Sequence, residues 1–452
     1  MRPLLLSGLL ALALPALALA QGQLAPPDAP APTMKSLTQI EPRTPLRTGN
    51  IGVEQDPNGG VRITSGGSYY LDGNINLGTG SAITVLANNV TIDLNGFTLA
   101  SYASPANGIG ILIGAANVTI RNGHLNGGFE FGIADGLGAA NVLIEDVRLS
   151  NIGSGGIYFL KTLCVVRRCT VTSSGNFGIA AGAVFDSNAF ECASTGIYSA
   201  GIAQNCTGAG NTSNGLMAET AVNCIGHSGS GTGLQATRSA AGCSGTTSIG
   251  DFGLRVATIS STPVAGTAEN CRGSVTGNTA TGTGLFASTA TNCIGESTAG
   301  IGLQTTQTAT GCSGTTVTGS FGLNVATLGS TPIAGTAENC RGTVTGSTAT
   351  GTGLSTGAAT NCIGTSDAGL GLLATTASNC IGTSASGIGL QADTASNCTG
   401  TSTSGERGLY IIGTASYCRG KRAGGIALSA TTAIGCTAEA GDFLVTNRYL
   451  MP

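Results

Sequence analysis

The sequence predicts an all-β fold, a single-stranded parallel β-helix solenoid of about seventeen coils. Three observations predict it: a short unit repeated along most of the chain, period-two alternation within the unit, and a composition hostile to helices. The chain holds 74 Gly and no Trp, and only 9% of its residues are charged. Gly and β-branched residues pervade every unit, which disfavours helix and suits strands joined by tight corners.

The repeat is plainest in the second half. Gly242-Cys243-Ser244-Gly245-Thr246-Thr247 recurs as Gly311-Cys312-Ser313-Gly314-Thr315-Thr316, an internal duplication with an offset of 69 residues. Gly266-Thr267-Ala268-Glu269-Asn270-Cys271-Arg272-Gly273 recurs at the same offset as Gly335 to Gly342. Inside lies a smaller unit: Gly-Ile-Gly-Leu-Gln, a few small residues, Ala-x-Asn-Cys-x-Gly, then a Ser/Thr/Gly loop. Later units are shorter, with Cys362, Cys380 and Cys398 spaced by 18.

The N-terminal third follows the same grammar in bulkier residues. Gly108-Ile109-Gly110-Ile111 leads to Ala116-Asn117-Val118-Thr119-Ile120, which puts Val118 in the place of Cys293, with Val90 and Val142 equivalent to it. Val90, Val118, Val142, Cys164, a degenerate unit near Ala183 and the series Cys206 to Cys436 make up the seventeen coils. Val90/Ile92/Leu94 alternate with Thr91/Asp93, the pattern of a strand with one buried face. A single coil cannot bury that face, and stacking on the next builds one continuous core. At ~4.8 Å per coil the rod is about 80 Å long.

Gly67-Ser68-Tyr69-Tyr70-Leu71, Val90-Thr91-Ile92-Asp93-Leu94-Asn95-Gly96-Phe97-Thr98-Leu99 and Asn117-Val118-Thr119-Ile120-Arg121-Asn122-Gly123 resemble bacterial proteins with right-handed parallel β-helix repeats. Those proteins share the pectate-lyase-like superfold, and the resemblance covers about residues 50 to 445. It implies a right-handed parallel β-helix, without implying one activity. A left-handed β-helix needs a strict six-residue beat of aliphatic residues, which Ile363, Gly369 and Thr375 do not keep.

The organisation follows. Arg2, an apolar stretch from Leu4 to Leu19, and the small-residue site Ala18-Leu19-Ala20 read as a secretory signal peptide over 1–20. Residues 21–50 are a Pro/Ala-rich flexible segment, 51–445 the β-helix, and 446–452 a C-terminal tail or cap. Tyr69, Tyr70 and the Ile51–Leu77 segment are expected to cap the N-terminal end, since bare coil ends are unpaired strand edges. The expected location is secreted, periplasmic or at the cell surface. A net charge of −3 gives no basic face for nucleic acid. No apolar run in the mature chain approaches the ~20 residues of a membrane helix.

Fifteen cysteines in an exported chain suggest disulfides, but their placement argues for an inward ladder of small hydrophobes. Cys206, Cys224, Cys243, Cys271, Cys293, Cys312, Cys340, Cys362, Cys380, Cys398, Cys418 and Cys436 occupy one position per coil. In-register neighbours lie ~4.8 Å apart with parallel Cβ vectors, whereas a disulfide wants Cβ atoms at about 3.8 Å. Vertical disulfides and a metal site are the alternatives. Only His124 and His227 could assist the latter.

Stacking the N-terminal strands brings Asp93, Arg121, Glu145 and Arg167 into one outward column of alternating sign, with Asp186 as its expected continuation. This is either a surface ion-pair ladder or a sugar-binding face. Pectate-lyase-like enzymes bind Ca²⁺ through clustered carboxylates and use an Arg as base, but here each carboxylate is diluted by an Arg. The polygalacturonase-like Asn-Thr-Asp, Asp-Asp, Gly-His-Gly and Arg-Ile-Lys pattern is absent; Ile225-Gly226-His227-Ser228-Gly229 comes nearest. Glu269 with Arg272, and Glu338 with Arg341, read as a duplicated local pair. The insertions Ser260–Pro263 and Ser330–Pro332 are expected to project as loops. No catalytic residue, cofactor or metal is assigned. The expected function is a structural or surface-binding β-helix contacting polysaccharide or another cell-envelope component. The alternative is a polysaccharide lyase or glycoside hydrolase acting at the N-terminal coils.

Overall fold

The structure, a computed structural model, describes residues 43–450 apart from 58, 161–162, 258–265 and 327–334. The expected signal peptide, most of the Pro/Ala-rich segment and both Ser/Thr/Pro insertions lie outside the described residues. From Thr44 onward the chain is an all-β parallel solenoid of about 18 turns. The described residues contain no helix, and so none long and apolar enough to cross a membrane.

Each complete turn contributes a strand to three stacked parallel sheets. Sheet 1 contains Val90–Asp93, sheet 2 Thr98–Ser101 and sheet 3 Ile109–Ile113. The turn beyond the expected seventeen begins at Gly67–Tyr70, which lies in register with Val90–Asp93. The Tyr69 ring points inward at 2% exposure, and its hydroxyl donates to the Ser65 carbonyl at 2.7 Å. Tyr69 and Tyr70 are therefore part of a strand layer. The covering comes from earlier in the chain, where Thr44–Pro45 pairs with Tyr69–Tyr70 and Val53–Gln55 pairs antiparallel with Val61–Ile63. At the other end Asp442–Tyr449 adds a last strand beside Ile426–Ile434, with Phe443 and Val445 packed on the core.

The interior tapers along the rod. In sheet 2 the inward column runs Leu99, Leu125, Leu149, Val171, Ala189, Gly208, Gly226. In sheet 1 it runs Ile120, Ile144, Val166, Val184, Ala203, Ala221. Turn length first falls with it, from 28 residues between Asn89 and Asn117 to 24, 22 and 18 by Cys169–Ser187, and the later turns range from 18 between Cys380 and Cys398 to 28 between Cys312 and Cys340. Sheet 3 alone keeps a large residue, Ile or Leu, in its inward column to the end (Ile111 to Leu428), each of them fully buried.

Glycine explains how the narrow turns close. In the wide turns a sheet-2 Leu packs over a sheet-3 glycine. In the narrow turns glycine faces glycine and the two backbones touch. A Cβ built on Gly364 would overlap the Gly371 carbonyl oxygen and lie 2.7 Å from its carbon. Serine then pins the following corner: Ser366 Oγ donates to Gly351 O at 2.8 Å and accepts from Gly369 N–H at 2.9 Å. Ser384 and Ser402 repeat the pair of bonds on the next turns.

The corner between sheets 1 and 2 accounts for the Asn-Cys phrase. Asn205, Asn223, Asn270, Asn292, Asn339, Asn361, Asn379 and Asn397 all have left-handed backbones, with Asn292 at φ 53°. Asn is among the residues that adopt this region most readily. The next residue turns inward, and in this half of the chain it is Cys. This position aligns with Val147, Cys169 and Ser187, which corrects the equivalence with Val90, Val118 and Val142. Those three open the sheet-1 strand, as does Cys164.

All fifteen thiols are free and buried. They act as small hydrophobes that also satisfy the corner. Cys380 Sγ donates to Ser378 O at 3.1 Å, and Cys380 N–H donates to Cys398 Sγ at 3.4 Å. Ser187 does the same in its turn with a hydroxyl, donating to Phe185 O at 2.7 Å and accepting from Cys169 N–H at 3.1 Å. Burial pushes the Cys169 thiol up to about 12. The native protein should therefore consume almost no aromatic disulfide reagent at neutral pH and titrate fully in guanidinium. Rapid native reaction of several thiols would contradict the ladder.

Candidate functional site

The expected charge column forms on the outer face of sheet 1. Arg121 lies opposite both Asp93 and Glu145, and Glu145 opposite Arg167. Arg121 reaches Asp93 at 3.2 Å, and Arg167 reaches Glu145 at 2.7 Å. Asp93 also accepts from the Asn95 backbone N–H and the Asn122 amide. Glu145 takes a second arginine, Arg168, at 3.1 Å, and Arg168 grips Asp146 at 2.8 Å. That hydrogen bond holds the Asp146 carboxyl below the usual carboxylate range.

These carboxylates are thus engaged as acceptors, and the column is a ladder of ion pairs. Partly exposed pairs of this kind are worth ~0.2–1 kcal/mol each. Asp186 does not continue it. Phe185 takes that place opposite Arg167, and Asp186 falls on the left-handed corner at φ 50°, where it accepts from the Asn205 amide. A one-residue step at the corner moves the side chain off the sheet face.

Glu269 and Arg272 are likewise not a local pair. The Asn270 corner and the buried Cys271 separate them onto different sheets, and Arg272 reaches Glu296 on the following turn at 2.7 Å. His227 is exposed on the outer face of sheet 2. Among the described residues, no three His, Cys, Asp or Glu side chains are grouped to hold a metal ion.

A second outward surface was not singled out from the sequence. The residue after each inward Ile or Leu of sheet 3 points outward and is often large. In consecutive turns it is Tyr198, Met217, Gln235, Arg255, Phe286 and Gln304. More aromatic rings flank this row: Phe252 packs on Phe286 at 5.7 Å, and the Arg255 guanidinium lies 4.9 Å from the Phe252 ring centre. Nearer the N-terminus Tyr158 bridges Phe131 and Phe177.

The row borders a groove of about 400 Å³ between Tyr198 and Arg238. Its local cause is a register shift after Ala218, where the next turn carries one extra residue around Thr237–Arg238. Arg238 swings out and holds Glu219 at 3.0 Å on the rim. Gln235 lines the groove at 5% exposure. Its Nε2, like the Arg255 Nε on the next turn, is buried without a hydrogen-bond partner among the described residues. The signal in the sequence was the one bulky, variable position, Gly-Leu-x or Gly-Ile-x, inside a unit of small residues.

No protein-family model matches the chain, and no curated protein matches it. Solved structures do match at low similarity. One is the A-module of the Azotobacter vinelandii mannuronan C-5 epimerase AlgE6, at 11% identity and TM-score 0.21, covering 84% of this chain and 91% of that one. Another is the catalytic unit of a thermostable GH87 α-1,3-glucanase from Streptomyces thermodiastaticus strain HF3-3, at 13% identity and TM-score 0.19, covering 87% and 62%. Likeness of this degree carries no inference about activity.

Proposed function

We propose that this protein is an exported, non-catalytic β-helix that binds polysaccharide at the cell envelope through its outer sheet faces. The observation that supports this reading most is the outward row of sheet 3, where aromatic rings, side-chain amides and a guanidinium alternate turn by turn beside a groove. Rings offer apolar faces for sugar rings, and fixed amides and guanidinium groups orient hydroxyls and carboxylates. The rigid solenoid holds these groups in register without closing a loop over the ligand. The charge column supports scaffolding: its carboxylates are occupied by arginines.

The test is a screen of the mature protein against acidic and neutral polysaccharides, with and without Ca²⁺. Binding is read by calorimetry and turnover by ultraviolet absorbance of unsaturated products and by new reducing ends. Binding without turnover is the expected result. Turnover abolished by Glu145→Ala or Arg167→Ala would replace this reading with a lyase or hydrolase centred on the charge column. Absence of binding to every glycan would remove it.

A further inference from the structure

We propose a second function, independent of the polysaccharide reading: the outer face of sheet 1 in the C-terminal turns binds ice. One outward column there runs Thr289, Thr308, Thr336, Ala358, Thr376, Thr394. A second column, two residues further along each strand, holds Thr or Ser on the same turns except at Glu338, the one charged side chain in either column. Register passes from Ala358 to Ser396 without a shift. Between the columns lie the buried Ala359, Ala377 and Ala395, and the surface is a shallow trough of about 330 Å³ from Thr360 to Ser416. The inward Ser384 and Ser402 donate to backbone carbonyls. The hydroxyls of Thr376, Ser378, Thr394 and Ser396, by contrast, have no protein partner among the described residues. They stand open to a ligand outside the chain.

The repeat selects the ligand. Neighbours within a column are ~4.8 Å apart, and the columns are about 6.6 Å apart, from strand spacing and rise. The shorter distance is close to the repeat of equivalent oxygens along one axis of hexagonal ice, and the trough between the columns takes a file of water molecules. Branching at Cβ leaves Thr few side-chain rotamers, so each methyl and hydroxyl keeps its place in the array. Water bridging such hydroxyls is held at recurring positions, with no charge from Ala358 to Ser396 to impose a shell of its own. A dissolved small molecule meets one or two turns and draws nothing from the rest. A crystal of water meets every turn at once, and contacts that are weak singly add up on one rigid body. The face also lacks the rings and guanidinium groups of the sheet-3 row, which sets its ligand apart from the one proposed there.

The experiment measures thermal hysteresis and partition into a growing ice fraction for the mature protein. The wild type is expected to facet ice crystals and to concentrate in the ice. Thr376→Tyr combined with Thr394→Tyr raises two rings from the middle of the face. It should lower the hysteresis at least tenfold while the strand circular-dichroism signal and melting temperature stay at the wild-type values. Thr383→Tyr, on the outer face of sheet 2, should leave the hysteresis unchanged. If the double tyrosine variant folds poorly, Thr376→Ser combined with Thr394→Ser keeps the hydroxyls and removes two methyl groups, with a loss of at least twofold expected. Wild-type protein excluded from ice, with crystals left unfaceted, would overturn the proposal. Full hysteresis in the sheet-1 variants would overturn it as well, and so would a loss confined to Thr383→Tyr. None of these results bears on the polysaccharide reading, which the glycan panel tests separately.

Discussion

Gly364→Val is expected to destabilise the C-terminal turns by on the order of 3 kcal/mol or more, by overpacking against immovable backbone. The new Cβ would overlap the Gly371 carbonyl, with its carbon at 2.7 Å and Leu372 Cβ at 2.9 Å. No flexible side chain stands there to move aside; two strands of the same turn would have to separate. Solenoid stability is close to a sum over neighbouring turns, so the damage should stay local. Hydrogen exchange should report early opening around residues 354–390, and urea unfolding should show loss of cooperativity. Gly73→Ala is the control, since nothing lies within 4 Å of that position, and it should stay within about 0.5 kcal/mol of wild type. A Gly364→Val protein as stable as its parent would show that the two backbones are not in contact.

Leu354→Ala is expected to cost about 2–5 kcal/mol, toward the upper end. In the turn of Leu354 the sheet-3 strand has one large interior side chain, with Thr356 at the next inward position, and Leu354 is fully buried. The cost of such a deletion depends on how far the surroundings collapse into the space. Here they cannot, because the glycine columns already hold the walls in contact. A neighbouring Ala359→Gly change should cost much less, since it removes one methyl group. Equilibrium denaturation of both variants checks this ordering, and a loss under 1 kcal/mol for Leu354→Ala would contradict it.

Much of the fold was legible because a solenoid repeats its evidence of burial once per turn. The alternation at Val90, Ile92 and Leu94 gave the strand. The outward column of Asp93, Arg121, Glu145 and Arg167 followed from stacking alone, because in-register neighbours share a face. The misplacement of the cysteines has a local cause. Asn117-Val118 and Asn292-Cys293 are the same phrase, a left-handed Asn followed by a buried residue, with Asn117 at φ 58° and Asn292 at φ 53°. The first marks the corner before sheet 1 and the second the corner after it. Sequence spacing cannot separate two corners that use the same chemistry. The groove was hidden for another reason. It depends on one extra residue near Thr237 and on two donors finding no acceptor, and both are relations between turns.

The taper bears on how such a chain can change length. A turn inserted among the wide N-terminal coils would have to match different cross-sections above and below, and would leave a ledge or a clash on one side. Among the narrow coils the ring keeps Leu, Ala, Gly and Cys at the same four points, even where turn lengths differ. A copied turn there meets neighbours with the same four interior residues and adds length while keeping those contacts. The duplicated 69-residue block falls within this half and was copied as a unit of three unequal turns, marked by Cys243, Cys271, Cys293 and Cys312. The C-terminal half is thus a growth zone, and natural variants of this protein should differ in length there while the wide end keeps a constant number of turns.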